Sequence, residues 1–329
     1  MAVTEKENFL RVYKHQRPDH LPDPGAGLYT HHPILGFLER PDDGGETDWF
    51  GVSYISDPSA GGYVPNPNKE RVITDITRWR EQLAIPDVDN WDWEKAAAGD
   101  TKDKVTPEVR ENKLYSLLIQ CGIFERFHAL LGMEQAYIAL LEEPEESKAL
   151  MDALGEYKYK LFAKLIEYYK PDIIRCHDDY GTQQNMQMNP DLWRELIKPN
   201  LARFVELCHS HGVFYEQHSC GMVGKIVPDL AEIGVDSWQG MHINNVPALM
   251  ELTGDTLTYH MGLDIQRYEG MDYVGELTEE KLRRDVHDTV VACAKGGLYW
   301  PVGSSPTKGW WGNPVIADEI KRCREVIVY

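Results

Sequence analysis

The chain has 329 residues, with 53 Asp plus Glu against 34 Lys plus Arg and a formal net charge of −19. A hydrophobic fraction of 42% with 26% charged residues describes a globular protein and excludes a disordered one. The acidic surplus argues against nucleic-acid binding, which needs a basic face. No run approaches the roughly 20 apolar residues of a membrane helix. The opening MAVTEKENFLRVYKH lacks an apolar leader, so a cytoplasmic location is expected. The six cysteines, at 121, 176, 208, 220, 293 and 323, are scattered and form no CxxC. That pattern predicts free thiols in a reducing compartment, and each lone Cys reads first as a small buried hydrophobe.

In chain order, residues 1–112 are rich in Pro, Gly and aromatics, as in LPDPGAGLYTHHPILGF and DWFGVSYISDPSAGGYVPNPN. They read as long loops with short helices, of the kind that form a lid or mouth. KLYSLLIQC then reads as a strand, ERFHALLGMEQAYIALLEE as a helix ended before Pro144, and PEESKALMDALGEYKYKLFAKLIEYYK as a long amphipathic helix. The alternation repeats. PDIIRCHDD is a strand, and the helix after it is capped by Asn189 and runs through HSHG. VFYEQHSC is a strand, followed by a helix closed by Gly234. VDSWQGM, DTLTYHMGLD and GLYWPVG are strands separated by helices, and NPVIADEIKRCREVIVY is the closing helix. Six β/α pairs in a row predict a parallel sheet. The length suits one (β/α)8 TIM barrel over residues 1–329, with 1–112 contributing to its mouth. GxGxxG, GxxxxGK[ST], GxSxG and HExxH are all absent, which lowers dinucleotide, P-loop, hydrolase and zincin readings.

Barrel enzymes carry their chemistry at the C-terminal ends of the strands. Those positions here are Cys121–Glu125, His177–Tyr180, Glu216-x-His218-x-Cys220, Gln239–His242, His260-x-Gly262-x-Asp264 and Tyr299–Ser305. Alternation in FYEQHSCG puts Glu216, His218 and Cys220 on one face. A His and a Cys two apart make two arms of a soft-metal site, which needs a third ligand from another strand. His260, Glu216, Asp264, Asp178 and His242 are the candidates. Cys293, late in a helix, faces the wrong end of the barrel. Of the adjacent carboxylates Asp178 and Asp179, at most one enters the mouth, and capping a helix is the competing role. Trp300, Trp310 and Trp311, beside Tyr299, suggest an aromatic wall for a planar ligand.

The stretch HDDYGTQQNMQMNPDLWRELIKPNLARFVELCHSHGVFYEQHSCGMVGKIVPDLAEIGVDSW, followed by HMGLDIQ, resembles the uroporphyrinogen decarboxylase superfamily, and within it the corrinoid-dependent methyltransferases. The resemblance is specific from about Pro171 to Tyr329. It is weaker in DWFGV, IPDVDNW and GIFERFHALLGME. It implies a (β/α)8 barrel. True decarboxylases carry an RQAGRY-type segment, and the corresponding LPDPGAGLYTHHPILG has no Arg, so methyl transfer ranks above decarboxylation. The methyltransferase branch binds zinc through HxC plus a Cys after the last strand. His218 and Cys220 match the HxC, but Ser304 or Ser305 stands where that Cys falls, and His260 becomes the expected third ligand.

The resemblance further implies a zinc-dependent enzyme that moves a methyl group from a methoxylated, aromatic substrate to Co(I) of a cobalamin carried on a separate corrinoid protein. On that reading, Asp178 and Glu216 manage the phenolic proton. Tyr29, Asp179, His242, Trp300 and Trp310 line the substrate site, and a homodimer follows from the relatives. The alternatives are a metal-free decarboxylase of a smaller acid, using Arg126, Arg175, Arg267 and Lys308, and an inactive corrinoid-associated subunit.

Overall fold

The computed structural model describes residues 3–33, 47–57, 62–302 and 312–329. Its strands, in chain order, are β1 (Leu28–His31), β2 (Tyr54–Asp57), β3 (Gly62–Pro65), β4 (Leu114–Ile119), β5 (Ile173–His177), β6 (Phe214–His218), β7 (Ser237–Met241), β8 (Thr258–Gly262) and β9 (Tyr299–Pro301). Seven of them form one parallel sheet in the order β1-β4-β5-β6-β7-β8-β9, and β2 and β3 pair separately as an antiparallel hairpin. The expected β/α alternation is present. The sheet among the described residues has seven strands, with β1 and β9 at its two ends. The strands between its ends are buried on both faces, because helices cover the outside and the sheet curls around its own inner face, while β1 leaves Thr30 exposed.

What holds the curl is one of the short helices expected in the N-terminal part, though not placed by the sequence. Glu5–Tyr13 begins with a reciprocal cap between Thr4 and Glu7. Its Phe9, Val12 and Tyr13 pack against Leu28, Leu114, Ile173 and Trp300. These belong to β1, β4, β5 and β9, so both ends of the sheet fold onto one helix. The Thr258 hydroxyl donates to Val12 O at 2.7 Å, which ties β8 to the same helix. The N-terminal third also supplies the helix Trp93–Thr101, in keeping with the short helices expected there, and β1 and the hairpin, which the sequence pattern did not place.

Two expected helices are each split in two. The one after β4 breaks into Ile123–Leu131 and Met133–Glu142 at Gly132, whose φ of 81° suits glycine. The helix capped by Asn189 breaks into Pro190–Leu196 and Lys198–Ser210. Pro199 has no N–H to offer the carbonyl four residues back, which interrupts the ladder there. Cys208, Cys293 and Cys323 are buried helix residues, as the sequence suggested. Among the described residues, no helix is long and apolar enough to cross a membrane.

Register decides what the interior contains. Residues paired across parallel strands point the same way. One row reads Leu118, Arg175, Glu216, Ser237, Thr258. The next row toward the C-terminal ends reads His177, His218, Gln239, His260, Trp300. Apolar residues near the strand starts therefore give way to a polar band below the mouth.

Candidate metal centre

His218 is the last residue of β6, and Cys220 follows where the chain turns. Gly221 has φ 76°, and a side chain there would run into the backbone of Gly181. The two glycines let the loops after β5 and β6 touch, which brings Asp179 beside the HxC. His218 Nε2 lies 3.2 Å from Cys220 Sγ and 3.4 Å from Asp179 Oδ1. The Cys220 N–H donates to the same Asp179 oxygen at 2.7 Å. The ligand atoms of Asp179, His218 and Cys220 all lie within 4.8 Å of one another, and the three residues are half-buried. Burial opposes the charge on His218, but its contacts with Asp179 and Cys220 outweigh that and hold it well above the ordinary imidazole value. Burial likewise opposes the Asp179 carboxylate, while His218 and the Cys220 N–H hold it below the usual range.

His260, the expected third ligand, does not join this cluster. Its Nδ1 faces Glu216 Oε1 at 3.2 Å, its Nε2 faces Gln239 Nε2 at 3.1 Å, and its ring stacks on Trp300 with centroids 3.4 Å apart. Burial lowers it to about 4, against the pull of Glu216, so it is neutral. Asp264, another candidate, caps the helix Ile265–Tyr273 instead.

The adjacent carboxylates divide as alternation requires, with Asp179 entering the mouth. Asp178 accepts from the Phe124 and Glu125 N–H groups at 3.0 and 2.8 Å and from the Tyr180 hydroxyl at 2.9 Å. It is 2% exposed and caps the helix Ile123–Leu131, whose own N-cap residue is Gly122. Burial pushes it above the usual carboxylate range. The proton-handling role expected for Asp178 thus meets a carboxylate already occupied as a helix cap.

Glu216 does face inward, but it is fully buried and already engaged. It is ion-paired with Arg175, accepts from Tyr13 OH at 2.8 Å and contacts His260. Burial opposes its charge, yet Arg175 and His260 hold its carboxyl well below the usual range. It is a fixed anion beneath the site.

The expected substrate wall is only partly assembled. Tyr29 pairs with Tyr115 in the ladder and stacks on it at 6.3 Å, on the helix side of the sheet, because Leu28 takes the inward position. His242 packs 6.4 Å from Tyr299. Burial lowers it to about 4, against the pull of Asp285 on the helix Glu279–Ala294. Trp300 does line the interior, buried between His260 and Phe9. Trp310, with Ser304, Ser305, Lys308 and Trp311, lies outside the described residues.

Sequence reasoning placed Gln239 and His177 at strand ends but gave neither a role. Gln239 Oε1 lies 2.8 Å from His218 Nδ1. His177 stacks on His218 with centroids 3.9 Å apart, and its buried Nε2 has no hydrogen-bond partner. Burial, then the neighbouring His218, hold His177 well below the ordinary value. Both positions follow from alternation within strands the sequence located correctly, once the register is known.

The uroporphyrinogen decarboxylase (URO-D) family model matches residues 122–255, which include Asp179, His218, Cys220 and Gln239. The match is thus to the central part of the chain, from the helix after β4 to the end of the helix after β7. A solved methyltransferase from Methanosarcina mazei superposes with a TM-score of 0.64, covering 98% of this chain and 99% of that one at 14% identity. That likeness shows the fold. A psychrophilic glycoside hydrolase family 10 endo-β-1,4-xylanase covers 68% of this chain and 81% of its own at 10% identity, with a TM-score of only 0.35. No curated protein matches by sequence.

Proposed function

We propose that the protein is a methyltransferase that moves a methyl group from a methoxylated, aromatic substrate to the Co(I) of a corrinoid protein, with zinc held by Asp179, His218 and Cys220. The carrying observation is this convergent trio at the C-terminal ends of β5 and β6, within the segment that matches the uroporphyrinogen decarboxylase family model. The full-length likeness to a methyltransferase fold agrees with it. The donors fit zinc: one nitrogen, one sulfur and one oxygen, three protein ligands in all, which is the pattern of a catalytic site with a position left for substrate. Asp179 stands in for the last-strand Cys that this chain lacks.

Bound zinc supplies Lewis acidity toward the ether oxygen of the substrate. The protein's own groups do the rest. The Cys220 N–H holds the Asp179 carboxylate beside the thiol. Neutral His177, stacked on His218 with its Nε2 unpartnered, is the hydrogen-bond donor we assign to the phenolate oxygen as it leaves. Arg175 and Glu216 neutralise each other beneath the site. The substrate's methyl carbon must face the mouth, where a second protein can reach it. A net charge of −19 favours a partner with a basic docking face.

A polyanionic substrate is poorly served here. Arg126 is paired with buried Asp48, Arg175 with Glu216, and Arg267 with Asp285. The test is elemental analysis of the wild type and Cys220→Ser, followed by methylation of reduced cobalamin by a panel of methoxybenzenes. Stoichiometric zinc lost in the variant, with methylcobalamin formed only by the wild type, supports the reading. A zinc-free wild type expressed with ample metal, or no methyl transfer from any donor, overturns it.

A further inference from the structure

Glu216, His260, Gln239 and His218 form one buried hydrogen-bonded chain, and its polarity can be read from one end. Glu216 is ion-paired with Arg175, so its oxygens only accept. His260 Nδ1, 3.2 Å from Glu216 Oε1, must therefore be the donor. With its proton on Nδ1, the neutral ring presents a lone pair at Nε2. The group 3.1 Å from that lone pair must be a donor, which makes it the amide NH2 of Gln239. The amide oxygen then faces His218 Nδ1 at 2.8 Å and accepts its N–H. A proton fixed on Nδ1 leaves Nε2 as the ligating nitrogen, and Nε2 is the atom that faces Cys220 Sγ and Asp179 Oδ1.

We infer that Gln239 is the positioning residue of the metal centre, relaying the polarity of the Arg175–Glu216 pair through His260 to fix which nitrogen of His218 binds metal. This rests on the zinc site proposed above. The ladder gives the chain its rigidity, since His218, Gln239 and His260 are direct register partners on β6, β7 and β8. Such partners of a ligating His orient its ring and raise its basicity, and their loss weakens metal binding about 10- to 100-fold.

The experiment is titration of the metal-free protein with Co2+, followed by its visible absorption, in wild type, Gln239→Met and Gln239→Glu. Methionine keeps the size of the side chain and removes both hydrogen bonds. Glutamate keeps the acceptor for His218 Nδ1. The expected result is a Co2+ Kd raised about 10- to 100-fold in Q239M and restored to wild-type strength or better in Q239E. Equal affinity in wild type and Q239M overturns the inference and leaves the metal site standing. Weakness in Q239E equal to that of Q239M overturns it too, because the acceptor at Nδ1 is then not what matters. No Co2+ binding by wild type overturns the metal site itself, and the inference with it. Circular dichroism and melting confirm the fold. If Q239M does not fold, Q239E decides alone: affinity at or above wild type supports the inference, and a loss of tenfold or more overturns it.

Discussion

Replacing Asp178 separates a structural carboxylate from a catalytic one. Its oxygens accept the Phe124 and Glu125 N–H groups and the Tyr180 hydroxyl, all in a buried setting. A hydrogen bond to a charged group contributes about 1.5–3 kcal/mol, and each buried donor left unmade costs about 1–3 kcal/mol. Water entering the space of the lost carboxylate offsets part of this, so Asp178→Ala should destabilise by about 3–5 kcal/mol. An unfolding entropy of about 2.1 cal/mol/K per residue converts that to a drop in Tm of about 4–7 °C for a chain of this length. Asp178→Asn keeps one acceptor oxygen but turns an NH2 toward a donor, and should cost about 1–3 kcal/mol. The assays are urea and thermal unfolding, with metal content and methyl transfer measured well below the melting range. A D178A protein that melts within about 1 °C of wild type refutes the capping role. A D178N protein of wild-type stability that has lost turnover shows that the carboxylate handles protons after all.

Gly122→Ala should act through the same cap, because a Cβ there lies on the Asp178 carboxyl group; a loss of about 1–3 kcal/mol in urea unfolding is expected, and no loss refutes the close packing. Arg175→Met should cost about 3–5 kcal/mol by stranding the buried Glu216 carboxylate, and the double variant with Glu216→Gln should recover part of it. Equal losses in the single and double variants would contradict the buried pair. Away from the site, the hydrogen bond from His209 to Asp236, 2.8 Å long, raises the His209 value, against burial. The folded state therefore binds that proton more tightly. The stabilisation is complete below the unfolded value of about 6.5 and is lost as pH rises through the folded one. Partial exposure limits it to about 1 kcal/mol. Unfolding in urea at pH 6 and pH 8 should show His209→Gln losing about 1 kcal/mol of stability relative to wild type at pH 6 and much less at pH 8; an equal loss at both would contradict the protonated bond.

What the sequence made legible, and what it did not, divides by the range of the interaction concerned. Strands such as PDIIRCHDD and VFYEQHSC could be located because apolar β-branched and aromatic runs sit between capped helices, and Asn189 is the cap it was read to be. The closeness of His218 and Cys220 was legible because both lie on one strand and its extension. The helix Glu5–Tyr13 was not, since its apolar residues are few and its stability comes from strand ends more than a dozen residues away. Nor was the approach of Asp179 to the HxC, which turns on Gly181 and Gly221 meeting across two β/α connections.

Register is the deeper reason. Alternation within each strand shows that His177, His218, Gln239, His260 and Trp300 each face inward or outward together with their own neighbours at i±2. It cannot show that the five stand at one height. That depends on how far each strand is shifted along the last, which the connecting helices set by packing. Once the ladder aligns them, His260 stands between Glu216 and Gln239, and Gln239 between His260 and His218, which is the order the proposed relay needs. Direct evidence for this alignment would come from His260→Leu. If the relay acts as proposed, that change, two hydrogen bonds away from His218, should weaken Co2+ binding in the same direction as Gln239→Met; if His260 merely packs on Trp300, it should lower Tm and leave the Co2+ affinity unchanged.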